Sequence, residues 1–193
     1  MSAAPPAQPD LVIFHEVSPA DLRKMAATSN DSPTGGGARD IRFSFKAFDP
    51  VFTRLLPHQR KQKLRRKGIF RDEPVRFGKA QYPTADGRDI ESTIEWYTPT
   101  DSRPNDGRVP RVNGISAMPT PRLDAGVPFL LIIRSTDGEI TFSYAYRDRL
   151  AGWDSALANA IVESLSSKRG KALAAGWINL QNPKERYIHG QRP

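Results

Sequence analysis

The spacing of apolar residues along the chain predicts a mainly β protein. Residues 41–46 (IRFSFK) alternate strictly between apolar and polar types, which is the period of a strand with one buried face. Asp137 and Gly138 lie between two further strand patterns and suit a tight hairpin turn. Strands are therefore predicted at residues 11–14, 41–46, 88–97, 129–134 and 139–146.

Helix signals interrupt the strand patterns early in the chain. Ser18 is a good helix cap, Pro19 suits the first turn, and Asp21 would meet the positive end of the helix dipole. This helix is predicted to end near residue 27. Asp49-Pro50 begins a short second helix, which Pro57 closes.

A longer helix is predicted late in the chain. Asp154 caps it, and it runs to about residue 167 with one apolar stripe formed by Leu157, Ile161 and Leu165. The predicted fold class is therefore mainly β with α (α+β), a barrel-like sheet flanked by two short helices and one longer helix. No internal repeat is visible.

Length and composition indicate an ordinary globular protein. A chain of 193 residues with 38% hydrophobic and 26% charged residues predicts one domain, here residues 11–180, with a disordered tail at 1–10 and a polar tail at 181–193. The absence of cysteine excludes disulfides, thiolate metal sites and a cysteine nucleophile. The first residues carry no secretory signal, and the longest apolar run is too short to span a bilayer. A cytoplasmic location is therefore predicted.

The net positive charge is concentrated in one segment. The chain carries a formal charge of +8, and ten Lys or Arg residues lie between Arg54 and Lys79 against only Asp72 and Glu73. This segment accounts for the whole excess, because the rest of the chain has 19 positive and 19 negative residues. A polyanion is the expected partner, although a solvated charged loop would have the same composition. The predicted phosphate contacts within this basic insert (residues 58–79) are Arg60, Lys61, Lys63, Arg65, Arg66 and Lys67.

A polar, glycine-rich loop lies between the first helix and the strand at 41–46. Residues 30–39 read NDSPTGGGAR. Consecutive glycines let the backbone approach a phosphate or a base edge without a clash from Cβ. Taken alone, this composition also describes a flexible linker. It lacks the Gly-Lys-Ser/Thr ending of a nucleotide phosphate loop, which excludes that kind of site.

In its context this loop resembles a known DNA-binding family. The loop residues NDSPTGG, the alternating strand after them and the short helix ending in Leu55-Leu56-Pro57 are similar to the amino-terminal effector domain of the EcoRII-type restriction endonucleases. The resemblance extends in outline from Leu11 to Tyr146. It implies a DNA-binding pseudobarrel, an open barrel-like sheet of seven strands that also occurs in plant transcription factors.

The resemblance further implies two loop arms that grip the major groove of duplex DNA. Residues of the first arm would be Asn30, Asp31, Ser32, Thr34, Gly35, Gly36, Gly37 and Arg39. Residues of the second arm would be Arg103, Asn105, Asp106, Arg108 and Arg111. Their amide, hydroxyl, carboxylate and guanidinium groups are of the kinds that contact base edges and phosphates. An ordinary surface loop remains the alternative for the second arm.

The sequence departs from the family in three places. The first loop is one residue shorter, and Gly37-Ala38-Arg39 stands where the family carries a histidine after its paired glycines. The basic insert after Pro57 is an addition. The separate catalytic domain of family members is missing here, so a separately encoded nuclease or helicase is the expected protein partner, in a restriction or phage-defence system.

Two other functions remain open. A metal-dependent nuclease would use Asp86, Asp89, Glu91 or Glu95, but the acidic-X-Lys triplet typical of such enzymes is absent from that stretch. His15, His58 and His189 have no metal-ligand spacing. An RNA-binding or protein-interaction module would use the basic residues 60–67. The chain is therefore predicted to have no catalytic residues, no metal and no cofactor, and to bind double-stranded DNA.

Overall fold

The computed structural model describes residues 8–26, 40–66, 69–101, 103–110, 115, 117–168, 170 and 172–190. In chain order its elements are β1 (Pro9–Glu16), α1 (Pro19–Ala26), β2 (Ile41–Ser44), α2 (Phe45–Leu55), β3 (His58–Arg66), β4 (Ile69–Pro83), β5 (Asp89–Tyr97), β6 (Asp106–Val109), β7 (Pro128–Ser135), β8 (Ile140–Tyr146), α3 (Ser155–Ser167), β9 (Ala175–Asn179) and β10 (Arg186–Ile188), with 3-10 turns at Leu123–Ala125 and Arg147–Gly152. The predicted mainly β class with a few helices is confirmed.

The elements divide into two compact units. The chain-ends unit comprises Met1–Val17 and Pro121–Pro193, and the central unit comprises Ser18–Thr120. The sequence predicted one domain, because residues 1–17 and 121–193 are separated in the chain by the other unit and their association depends on strand pairing. The first unit brings the two ends of the chain together because β1 pairs with both β7 and β9.

The chain-ends unit is an antiparallel sheet covered by one helix. Its strands lie in the order β10-β9-β1-β7-β8. Leu157 and Ile161 of α3 join a core that includes Phe14 and Phe129, whose rings meet edge to face. Asp154 caps α3 by accepting hydrogen bonds from the backbone N–H groups of Ala156 and Leu157. The predicted late helix is confirmed.

The segments predicted as tails contribute ordered structure to this unit. Pro9 and Asp10 belong to β1, and Asp10 pairs with Arg134 at 2.6 Å. At the other end, β10 pairs with β9 and its Ile188 is buried. The sequence analysis missed β10 because its residues are mostly polar. A three-residue strand needs only one buried side chain when a neighbouring strand satisfies its backbone hydrogen bonds.

The central unit is built on the strand order β3-β4-β5-β6-β2. Its aromatic core centres on Trp96, which stacks on Phe52 with ring centroids 4.1 Å apart and lies parallel to Phe45 at 6.1 Å. The backbone of Gly107 lies directly against the Trp96 ring, where a Cβ atom would fall 2.2 Å from ring carbons. Only glycine fits this position.

Helix α2 begins four residues before the predicted start. The strand ends at Ser44 and the helix starts at Phe45, so Pro50 lies inside the helix. Asp49 does not cap it; its carboxylate accepts a hydrogen bond of 2.9 Å from the indole N–H of Trp96. The helix forms early because the apolar residues Phe48, Val51, Phe52 and Leu55 then share one buried face.

Candidate nucleic-acid interface

The predicted basic insert is a long β-hairpin rather than a loop. Strands β3 and β4 pair in antiparallel register from His58 opposite Phe77 to Arg66 opposite Ile69, so only two residues connect them. On its other edge, β4 pairs with β5 only from Val75 onward. Among the described strands of the central unit, none other than β3 and β4 pairs with residues 61–66 or 69–74, and we call this part the basic ribbon. At six residues a strand it extends about 20 Å.

Several cations of the hairpin have no acidic partner. Within the described parts of the chain, Lys61, Lys63, Arg71 and Arg76 form no ion pair, and the first three are exposed. Because side chains alternate along a strand, Lys61 and Lys63 project from one face of the ribbon and Arg71 from the other. The ribbon thus offers positive charge on both faces, as a surface that runs between two rows of phosphates would.

The root of the ribbon is held by a polar network on one face of the sheet. The guanidinium of Arg60 pairs with the Glu95 carboxylate and lies 5.2 Å from the centre of the Phe77 ring. The Tyr97 hydroxyl donates to the Glu95 carboxylate at 2.9 Å and lies 3.0 Å from the side-chain amide of Gln62. These contacts tie β3 to β5 across β4, which fixes the direction in which the ribbon leaves the sheet.

Burial is the main cause that raises the pKa of Tyr97 above its ordinary value, and the hydrogen bond to Glu95 raises it further. The nearby Arg60 charge opposes this shift. The phenol is therefore held neutral, as a hydroxyl that donates to the Glu95 carboxylate requires. In addition, the Thr98 hydroxyl donates a hydrogen bond of 3.0 Å to the Glu73 carboxylate.

The predicted phosphate contacts differ in their surroundings in the structure. Lys61 and Lys63 are exposed and have no ion pair, as that role requires. Arg60 is engaged with Glu95 and acts as a brace. Arg65 and Arg66 belong to β3, whereas Lys67 lies outside the described residues. The sequence analysis did not single out Arg71 and Arg76, which lie in the same basic segment and form no ion pair with the described residues.

The predicted second arm is only partly a loop. Arg103 and Asn105 are exposed in the turn before β6, but Asp106 and Arg108 lie within that strand. Arg108 donates to Asp40 at 3.0 Å and its guanidinium lies 4.8 Å from the centre of the Tyr97 ring. The strand forms because Val109 is buried opposite Ile41, which leaves Arg108 on the face of Tyr97. Arg111 lies outside the described residues.

The first predicted arm lies outside the described residues. This concerns Asn30, Asp31, Ser32, Thr34, Gly35, Gly36, Gly37 and Arg39. Asp40, which follows them, pairs with Arg108 and lies 3.9 Å from Arg42. Asp40 therefore joins the sheet beside two arginines. Buried nitrogen atoms of both arginines, Nη1 of Arg42 and Nε of Arg108, make no hydrogen bond to the described residues.

A small cavity lies where the ribbon joins the sheet. It has a volume of about 220 Å³ and is lined by Phe45, Asp49, Gln59, Pro74, Arg76, Trp96 and Thr98. An arginine without an ion pair beside aromatic rings is a combination suited to planar or anionic groups. Sequence patterns could not show it, because its walls come from α2, β3, β4 and β5.

The carboxylates of the nuclease alternative do not converge. Asp86 lies in an exposed turn, where the Thr84 hydroxyl bonds its carboxylate and lowers its pKa. Glu91 pairs with Lys79 at 3.1 Å, and Glu95 pairs with Arg60. Within the described ranges, no three acidic or histidine side chains lie close enough to hold a metal ion.

No protein-family model and no curated protein matches this chain. None of the described helices has the length and apolar character needed to cross a membrane. Function is therefore inferred from the arrangement of the residues themselves.

Proposed function

We propose that this chain binds double-stranded DNA, with the basic ribbon lying along the phosphate backbone. The observation that carries the proposal is the set of cations without acidic partners on a braced, protruding hairpin. Lys61, Lys63 and Arg71 are exposed there, and each phosphate they neutralise would release a condensed counterion. A polyanion with regularly spaced charges is the partner that such a ribbon suits.

Rigidity of the ribbon root adds to this support. A cationic segment that must be ordered on binding loses conformational entropy, which weakens the complex. Here the backbone ladder and the links from Arg60 and Gln62 to β5 order the hairpin beforehand. The cations then need to lose only side-chain freedom when they meet phosphates.

Sequence recognition is the finer part of the proposal. By resemblance to the EcoRII-type effector domains, we propose a DNA-binding pseudobarrel in which loop arms read bases in the major groove. The exposed Arg103 and Asn105 are the described candidates of the second arm. A separately encoded nuclease or helicase of a restriction or phage-defence system would act on the DNA so bound. Selection of bound duplexes from a random pool tests this part, and a pool with no enriched sequence would refute it.

Fluorescence anisotropy with labelled duplexes at several salt concentrations tests the binding itself. We expect affinity to fall steeply as salt rises. The double variant Lys61→Gln/Lys63→Gln should bind more weakly and lower the slope of log affinity against log salt by about two, since each lost phosphate contact contributes about 0.9. The matched control, Arg122→Gln/Arg147→Gln, removes the same charge from exposed residues of the chain-ends unit that pair with Asp124 and Asp148.

Absence of binding to every duplex at moderate salt, including a random pool, would refute the proposal. Competition with duplex RNA tests whether the protein prefers DNA or RNA. Loop arms that read a wide major groove should prefer DNA. Equal competition by RNA would contradict the DNA assignment.

A further inference from the structure

The far end of the basic ribbon carries two exposed apolar side chains. Ile69 is 60% exposed and Phe70 is 67% exposed, at the first two positions of β4. Large apolar side chains with this exposure are scattered singly elsewhere in the described chain, whereas these two are adjacent. They contribute nothing to a core, so keeping both at the end of a protruding hairpin is unexplained by stability.

Cationic residues occupy the strand positions beside this apolar pair. Phe70 lies opposite Arg65 in the strand register and Ile69 lies opposite Arg66, while Arg71 follows next in the chain. Lys63, two positions before Arg65 in β3, is exposed and lies opposite Asp72. An apolar side chain flanked by cationic residues suits a ligand that has a stacked apolar interior and an anionic exterior. The base pairs and phosphates of duplex DNA have this arrangement.

We infer that Phe70, assisted by Ile69, inserts between two base pairs of the duplex from the minor groove and kinks the DNA at that step. The inference rests on the proposed function and extends it from binding to deformation. Proteins that kink DNA in this way place apolar side chains between base steps and use flanking cations to hold the bent phosphate backbone. The ring of Phe70 can stack on an exposed base face, and Ile69, on the opposite face of the strand, can contact the adjacent sugar.

The ribbon is better suited to DNA than to an anionic lipid surface. Its cations extend over the whole ribbon from Lys61 to Arg71 on both faces, so they follow an anionic partner for about 20 Å. A membrane surface would contact cations at one depth only. Insertion of the tip into lipid would also carry Arg66 and its neighbouring cations toward the hydrocarbon, which is costly.

The consequence for DNA choice follows from stacking energies. Pyrimidine–purine steps unstack and kink most readily, so the tip should select such a step even without hydrogen bonds to its bases. The ribbon would thereby contribute to specificity through deformability, in addition to any bases that the loop arms read.

The experiment uses the whole chain with short duplexes that carry a donor and an acceptor dye at their ends. A second set carries 2-aminopurine at successive positions, whose fluorescence increases when a base loses its stacking neighbours. The wild-type protein should increase energy transfer between the ends and brighten 2-aminopurine at one step. Phe70→Ala should abolish both signals and weaken binding about tenfold, with an unchanged salt slope.

Two further variants make the result specific. Phe70→Trp keeps a large aromatic ring and should retain both signals. Val162→Ala removes an apolar side chain that is 50% exposed on α3 and should behave as the wild type. Ile69→Ala should weaken binding less than Phe70→Ala, because Ile69 contacts only the adjacent sugar and does not stack on a base.

The outcomes separate this inference from the proposed function. Wild-type binding that leaves the duplex straight and 2-aminopurine dark overturns the inference and leaves DNA binding intact. The same holds if Phe70→Ala bends DNA as the wild type does. Failure of the wild type to bind any duplex overturns both. Binding to vesicles of anionic phospholipid that depends on Phe70, without any change in DNA, would identify the tip as a lipid contact and also overturn the inference.

Discussion

Two of the β-hairpins of this protein, β7–β8 and β3–β4, have the same local topology and opposite surroundings. The β7–β8 hairpin has a tight turn at Gly138, which has a positive φ of 89°, and most of β7 is buried against β1 on its other edge. The β3–β4 hairpin extends beyond the end of β5, its neighbour in the sheet. No side chain described in its ribbon is buried. The first hairpin gains stability from burial, whereas the second exposes charged residues and two apolar side chains.

Strand pairing alone therefore does not determine whether a hairpin is buried in a core or exposed to solvent. Both hairpins satisfy their backbone hydrogen bonds by the same antiparallel ladder. An isolated hairpin is only marginally stable in water, so the ribbon depends on its root, where Arg60 and Gln62 contact Glu95 and Tyr97. Substitutions in the two hairpins should therefore separate stability from binding.

The largest effect on stability is expected in the buried hairpin. Leu131→Ala in β7 removes a side chain that is fully buried in the core of the chain-ends unit. The free energy of unfolding should fall by about 2–5 kcal/mol, because both the transfer energy and the packing around the cavity are lost. Urea denaturation measures it. Phe70→Ala is the matched control and should change the same quantity by less than about 0.5 kcal/mol; equal losses would break the contrast between the hairpins.

The reverse pattern is expected for the exposed hairpin. Lys61→Gln/Lys63→Gln should leave the urea midpoint unchanged, because neither lysine has an ion pair within the described chain. Duplex affinity should fall by about tenfold at low salt and by less at high salt, as expected for two lost phosphate contacts. Anisotropy titrations of the two proteins check this. A destabilised double variant with normal affinity would contradict the division between the hairpins.

An intermediate effect is expected at the ribbon root. Glu95→Gln replaces the carboxylate that holds Arg60 and accepts from Tyr97. The free energy of unfolding should fall by only about 1 kcal/mol, since Arg60 is half exposed and its pair is screened by solvent. Amide exchange in β3 should accelerate more than exchange in β7. The pKa of Tyr97 should also move down toward its ordinary value, because one cause of its elevation is removed.

The smallest effect concerns the Tyr97 hydroxyl, and it changes with pH only in alkali. Its folded pKa is raised above the unfolded value of about 10. The stability that this shift contributes is therefore fully present below pH 10 and is lost as pH rises through the folded pKa. Urea midpoints of wild type and Tyr97→Phe should accordingly converge above about pH 10. A gap between the two that stays constant with pH would show that the raised pKa makes no contribution.

Local patterns were sufficient for elements whose neighbours do not change their period. The alternation around Asp137-Gly138 predicted the β7–β8 hairpin, and the stripe from Leu157 to Leu165 predicted α3, because each buries the face that its own spacing defines. Helix α2 was misplaced for the opposite reason. Phe45 continues the alternation of the preceding strand, yet it is the first residue of the helix and stacks parallel to Trp96, a residue distant in sequence.

The sequence by itself determined where the positive charge lies, that the fold is mainly β, and that cysteine chemistry is absent. These properties are sums over residue types or short periods. Only the tertiary structure decided that the basic segment is a ribbon and that Arg60 and Arg108 have carboxylate partners, whereas Lys61, Lys63 and Arg71 have none among the described residues. The physical reason is that an ion pair depends on which strands become neighbours, and strand neighbours are set by burial across the whole sheet.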